Sequence, residues 1–324
     1  MRFLITGASG FVGRSLCVEA IRRGLCVRGA VRTPHPLPAG VEPAIVGPID
    51  GKTNWTDALN DVDVVIHLAA RVHVMRETAG DPLTEFLEVN LHGTTNLARQ
   101  AAQAGVKRMV YVSSIKVNGE STEAHPFSES DNPNPQDPYA VSKWQAEQAL
   151  QRIARETGLE VVIIRPPLIY GPGVKGNFIK LLEAIDKGIP LPLAGANSQR
   201  SLLYVANLVD ALIVCATHSA AINQTYLVSD GEDISTAELI GEISRLSGRR
   251  DWSFYFPLPL LRVIGLLFRR RAQIERLLNP LCINGNKIRN ELRWLPPYTL
   301  HDGLRSTVQW YCHKNGIRLP YLWS

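Results

Sequence analysis

The run Phe3-Leu4-Ile5-Thr6 passes directly into Gly7-Ala8-Ser9-Gly10-Phe11-Val12-Gly13, and this junction constrains the fold more than any other stretch of the chain. The first four residues are apolar or β-branched and read as a strand. From Gly13 to Arg23 the spacing is helical, and Gly24 ends it. Glycines between a strand and a helix permit a tight turn, close approach of backbone N–H groups to a pyrophosphate, and close packing of helix on strand. The positive end of the helix dipole then faces the phosphates. The turn therefore predicts a dinucleotide site, with Gly7, Ser9, Gly10, Phe11, Val12 and Gly13 against the cofactor.

The same alternation continues along the first half. Strands are predicted at Val27–Val31, Val62–Leu68, Arg108–Val112 and Val161–Ile164, and helices at Thr84–Ala104, ended by Gly105, and Tyr139–Glu156. Apolar strands alternating with helices imply an α/β fold, a Rossmann-like doubly wound parallel sheet covered on both faces. Ligands in such sheets lie beyond the carboxyl ends of the strands. Residues 1–165 read as the dinucleotide-binding domain. After Arg165-Pro166-Pro167 glycine and proline become denser and the alternation irregular. Residues 166–324 are therefore expected to form a smaller, mainly substrate-binding C-terminal lobe with segments returning to the sheet.

The choice of dinucleotide turns on the second strand. An NAD site calls for an acidic residue about 20 positions on, to bind the ribose 2′-hydroxyl. Here the strand ends Ala30-Val31-Arg32, and no Asp or Glu lies between Glu19 and Glu42. A guanidinium at Arg32 suits a 2′-phosphate, so NADP(H) is favoured, with NAD the alternative.

A second constellation supplies chemistry. Pro138-Tyr139-Ala140-Val141-Ser142-Lys143 opens a helix, and a spacing of four puts Tyr139 and Lys143 on one face. A phenol with a pKa near 10 is a poor base at neutral pH, and a neighbouring ammonium, helped by the charge of an oxidised nicotinamide, is expected to lower it. Ser114 ends a strand 25 residues before Tyr139, where its hydroxyl can bond a substrate oxygen while Tyr139 moves a proton.

Together these residues resemble the extended short-chain dehydrogenase/reductase family. Leu68-Ala69-Ala70 and Asn90 belong to the same likeness, and the nucleotide-sugar epimerase/dehydratase branch also matches Arg165-Pro166-Pro167, Tyr170-Gly171-Pro172-Gly173 and Arg200-Ser201-Leu202-Leu203-Tyr204-Val205. The resemblance covers nearly the whole chain. It implies that Tyr139 is the general acid/base, Ser114 polarises the substrate oxygen and Lys143 holds the nicotinamide ribose. It adds Leu68, Ala69, Ala70, Asn90 and Pro166 to the cofactor site. Lys116, Asn177, Arg200 and Arg276 join Ser114 on the substrate side, the last three against the sugar nucleotide's diphosphate. Pro48 stands where family members often carry an acidic residue for adenine. Sugar 4,6-dehydratases carry an Asp-Glu pair after the catalytic serine, and Ile115-Lys116 in its place speaks against dehydration. What remains is hydride chemistry at a sugar carbon. The expected activity is reduction by NADPH of the 4-keto group of a UDP-linked 4-keto-6-deoxy-sugar. The alternatives are an NAD-dependent nucleotide-sugar 4-epimerase and, more distantly, a non-catalytic NAD(P)-binding sensor. A homodimer formed through the helices at Thr84–Ala104 and Tyr139–Glu156 is also expected by resemblance.

Composition narrows the setting. Lys and Arg exceed Asp and Glu by 35 − 30 = 5, an excess that suits anionic small molecules. The basic residues are dispersed apart from Arg269-Arg270-Arg271, so no nucleic-acid partner is expected. Cys17, Cys26, Cys215, Cys282 and Cys312 are scattered without metal-ligand spacing, which reads as reduced thiols in a cytoplasmic protein with no metal site. No secretory signal is expected, since Gly7 arrives before an apolar segment can form. No membrane span is expected either. The longest apolar stretch, Phe256–Phe268, is interrupted by Pro257, Pro259 and Arg262. It reads first as a buried helix, and second as a basic membrane-surface contact because the three arginines follow.

Overall fold

A computed structural model describes residues 1–72, 81–267 and 271–317. The first half runs β1 (Arg2–Thr6), α1 (Phe11–Arg22), β2 (Cys26–Val31), β3 (Val41–Ile45), α2 (Thr56–Leu59), β4 (Val64–His67), α3 (Pro82–Leu87), a π-helical turn (Glu88–Gly93), α4 (Thr94–Gln103), β5 (Arg108–Val112), α5 (Pro138–Thr157) and β6 (Glu160–Arg165). The second half adds β7 (Leu168–Tyr170), α6 (Asn177–Asp186), β8 (Gln199–Tyr204), α7 (Val205–Thr217), β9 (Thr225–Leu227), β10 (Asp233–Ser235) and α8 (Thr236–Ser247). It closes with α9 (Leu258–Leu267), α10 (Arg271–Leu278), α11 (Asn286–Leu292) and α12 (Leu300–Lys314).

Seven strands form one sheet in the order β3-β2-β1-β4-β5-β6-β9, and every pairing in it is parallel. Both faces are covered. One buries Phe3, Ile5, Ile66, Val110 and Ile164 under α1 and α7; the other buries Leu4, Val65, Met109, Tyr111 and Ile163 under α4 and α5. The fold is thus Rossmann-like and doubly wound, as the alternation of apolar runs predicts. Chain order reverses between β1 and β4, so their carboxyl ends, Thr6 and His67, open the crevice where such folds bind ligands. A second sheet of order β10-β8-β7 carries the lobe, while β9 and α7 return from the second half to the main sheet.

Three local readings differ from the structure. Strand β3 went unread because Pro43 interrupts its pattern; the strand sits at the sheet edge, where a missing N–H is tolerated. The helix expected at Thr84–Ala104 begins at Pro82, capped by Asp81, and widens to a π turn at Glu88–Gly93 before continuing as α4. The buried helix expected at Phe256–Phe268 is α9, but most of its apolar side chains face outward. Among the described residues, no helix is long and apolar enough to cross a membrane. Phe268, Arg269 and Arg270 lie outside the described residues.

Candidate active site

The glycine turn is built as a close-contact cradle. Gly7 adopts φ +68°, a left-handed conformation that strains other residues, and its carbonyl accepts from Gly10 N at 2.9 Å. A Cβ on Gly13 would stand 2.1 Å from the Gly7 carbonyl oxygen, and one on Gly7 would stand 3.1 Å from Ala69 N. Gly10 caps α1 without a side-chain hydrogen bond, so backbone N–H groups at this helix end need acceptors. These residues fit a dinucleotide pyrophosphate. Across the crevice, Leu68 N and Ala69 N both donate to Thr6 Oγ1, at 3.2 and 3.1 Å, which pins the end of β4 beside the turn. Ala70 continues that half-buried loop.

Asn90, expected on the cofactor side, makes three hydrogen bonds within the protein. Its Nδ2 donates to Arg71 O and Ser142 Oγ, each at 3.0 Å, and its Oδ1 accepts from Arg71 N at 2.8 Å. The amide is buried and committed to protein partners, so Asn90 ties the loop after β4 to α5. Pro166, expected near the cofactor, is buried at the end of β6, and its carbonyl accepts from Ile115 N at 3.0 Å. Arg32 lies just beyond β2, exposed, on the same edge of the sheet as Gly7.

Ser114, Tyr139 and Lys143 converge. A side-chain hydrogen bond joins Ser114 to Tyr139. Lys143 reaches back to β5, donating from Nζ to Val112 O at 2.7 Å, and its ammonium lies 4.4 Å from the centre of the Tyr111 ring. The protein's own groups act against the lowering expected for Tyr139 with an oxidised nicotinamide beside it. Burial pushes its phenol above the ordinary value, Asp137 adds to the rise, and the Ser114 hydrogen bond opposes it. The ammonium meant to help is directed at a carbonyl. Burial also lowers Lys143 to about 7, against the pull of Glu147.

Helix α5 is positioned by contacts at both ends. Asp137 caps it, accepting from Ala140 N at 2.7 Å, with Pro138 in the first turn. Arg165 makes a two-pronged contact to Glu147 at 3.0 and 2.6 Å and donates to Asn118 Oδ1 at 2.9 Å. The loop after Ser114 is thereby joined to α5 through a buried pair.

Three of the substrate-side residues share their surroundings. Lys116 does not present a free ammonium; Nζ bonds Glu120 at 2.7 Å and Asp137 at 2.5 Å. Arg276, from α10, approaches the same two carboxylates at 3.5 and 3.6 Å. Arg200 donates to Asn279 O at 2.6 Å and is close enough to Glu120 and Arg276 to sense both charges; burial and Arg276 lower its pKa. Lys116, Arg200 and Arg276 therefore share one charged cluster next to Tyr139. Asn177 is exposed at the first position of α6. Glu120 and Asp137 were not read from the sequence. Asp137 had a legible signal, an N-cap type directly before a first-turn proline, whereas Glu120 becomes visible only through its partners.

With this geometry in place, comparison with known proteins is decisive. Residues 3–229 match the NAD dependent epimerase/dehydratase family. The chain belongs to that family. It is accordingly an enzyme of NAD(P)-linked chemistry. Among epimerase/dehydratase relatives, a UDP-glucose 4-epimerase of Vibrio cholerae is 41% identical over 315 residues, 96% of both chains. An N-acetyl-alpha-D-glucosaminyl-diphospho-ditrans,octacis-undecaprenol 4-epimerase of Escherichia coli O157:H7 is 27% identical, covering 95% of this chain and 94% of its own. The solved structure of MoeE5 in complex with UDP-glucose and NAD superposes with a TM-score of 0.80 at 26% identity, covering 97% of this chain and all of that one.

Proposed function

We propose that this epimerase/dehydratase enzyme is a nucleotide-sugar 4-epimerase acting on a UDP-linked hexose with NAD retained through the cycle. The observation that carries this reading is the 41% identity to the Vibrio cholerae enzyme across nearly the full length of both chains. On it, Tyr139 Oη takes the proton of the sugar 4-hydroxyl and later returns it, and Ser114 Oγ bonds the same oxygen. Lys143 supplies positive charge that favours the phenolate once substrate and cofactor are in place. When bound, the nicotinamide supplies the hydride acceptor and donor. Arg200 and Arg276 take the diphosphate, Arg276 exchanging carboxylate partners for phosphate oxygens. Asn177, exposed at the start of α6, takes the same diphosphate. The lobe from Pro166 onward thus serves the sugar nucleotide, and α4 with α5 offers the homodimer face. The cysteines, free thiols in this structure, suit a cytoplasmic enzyme.

A second reading rests on Arg32, exposed just beyond β2, with no acidic residue between Glu19 and Glu42. It makes the protein an NADPH-dependent 4-keto reductase of a UDP-4-keto-6-deoxy-sugar. Denaturing the purified protein and weighing the released nucleotide by mass spectrometry separates the two. Stoichiometric NAD supports the epimerase. An empty protein that binds NADPH far more tightly than NADH favours the reductase, and conversion of UDP-glucose to UDP-galactose without added cofactor would exclude it.

A further inference from the structure

Helix α9 presents the same kind of surface on both sides. Leu261 and Gly265 face inward, and the missing side chain at Gly265 lets α10 close in, since a Cβ there would stand 2.5 Å from Ile274 Cδ1. The inner face is therefore satisfied. Outward, Leu260, Val263, Leu266 and Leu267 are exposed, the last two at 61% and 75%. The segment leading into the helix adds Trp252, Phe254 and Tyr255, the last 76% exposed. Isolated exposed apolar residues are ordinary on protein surfaces, but a run of this density is not.

The charges in the same stretch have one sign. From Trp252 to Ile274 the sequence holds Arg262, Arg269, Arg270 and Arg271 and no carboxylate. Arg262 is the one ionised side chain of α9; it lies on the exposed side and donates to Asn279 Oδ1 at 3.3 Å. Just before the segment, exposed Arg250 stacks on the Trp252 ring at 4.5 Å, and exposed Asp251 beside it accepts from Ser253 N at 2.7 Å. Tryptophan and tyrosine rings suit the headgroup depth of a bilayer, and arginines suit anionic headgroups. A ten-residue helix spans about 15 Å, half the hydrocarbon thickness, so it can lie along a membrane but cannot cross one. A second copy fits less well, because a two-fold contact through the outer face of α9 would bring Arg262 of each copy together, and α9 holds no carboxylate to oppose them.

We propose that the outer face of α9, with Trp252 and Tyr255, docks this enzyme reversibly on an anionic lipid surface. The proposal stands apart from the reaction assigned to the site. It is tested by sedimenting the full chain with vesicles of phosphatidylcholine alone and of phosphatidylcholine containing phosphatidylglycerol. The expected result is at least tenfold stronger partitioning onto the anionic vesicles, weakened by salt. The double variant Leu266→Glu/Leu267→Glu alters only exposed side chains and should abolish binding while leaving thermal stability and turnover of a soluble sugar nucleotide unchanged. Arg262→Gln should reduce the salt dependence. Failure of the native protein to sediment with anionic vesicles would overturn the proposal, as would equal binding by the double variant. Light scattering that shows a dimer split by Leu267→Glu, without vesicle binding, would assign the face to a second copy instead.

Discussion

At the scale of single residues, Tyr139 and Lys143 are opposed by the burial that assembles them. Removing water raises the phenol and lowers the ammonium, so each group is pushed toward its neutral form. Tyr139→Phe keeps the ring and its packing against Phe86 while deleting the proposed proton carrier. The chemical step should slow by about 10²–10⁴-fold with the fold intact, which steady-state turnover and circular dichroism would check. Lys143 also gives a pH signature. Below about pH 7 the folded and unfolded chains both carry the ammonium; between about 7 and the ordinary 10.5 only the unfolded chain does. Unfolded protein then binds more protons, so this group makes stability rise with pH across that window. Lys143→Met should be more stable than the native protein near pH 6, with the gap narrowing toward pH 10. Urea unfolding at three pH values would read this, and a gap that does not change with pH would refute it.

At the scale of elements, α5 and the glycine turn set the site. The Arg165–Glu147 pair is buried on both sides, at 5% and 0% side-chain exposure. Arg165→Met would leave the Glu147 carboxylate buried and alone, and should cost about 3–5 kcal/mol in urea unfolding. Adding Glu147→Leu should recover most of that loss. In the turn, a Cβ on Gly10 would meet Gly7 O at 3.0 Å, so Gly10→Ala should fold yet fill the space meant for a pyrophosphate. Fluorescence titration should then show dinucleotide affinity reduced more than tenfold. The turn, Tyr139, Lys143 and Ser114 were all readable because their signals are local, a spacing or a residue type at an element boundary. The π turn around Asn90 was not, because it is stabilised by partners at Arg71 and Ser142 that are distant in sequence.

At the scale of the whole molecule, the lobe is joined to the sheet through a buried polar knot. Tyr170 Oη donates to Asp230 at 2.9 Å and to Leu300 O at 3.2 Å, while Asp230 also accepts from Tyr204 N and Asn207 Nδ2. Helix α12 can approach because Gly303 has no side chain; a Cβ there would stand 2.4 Å from Tyr170 Oη. Gly303→Ala should therefore destabilise the protein by about 1–3 kcal/mol, measured by urea unfolding. The same substitution should weaken sugar-nucleotide binding more than cofactor binding, since it shifts the lobe and leaves the turn untouched. Calorimetric titration of UDP and NAD would compare the two.

The sequence by itself determined the parallel α/β class, the glycine turn after β1 and the placing of Ser114, Tyr139 and Lys143 at element boundaries, because periodicity, glycine placement and helical spacing act within one element and its neighbours. Only the tertiary structure decided that Lys116 and Arg276 share the carboxylates of Glu120 and Asp137, and that Asn90 acts as a tie. It also decided that the apolar residues of α9 face outward. These outcomes depend on which chain segments meet across the fold. A charged or apolar side chain is chemically the same in each case; burial, partner and direction are set by what packs against it.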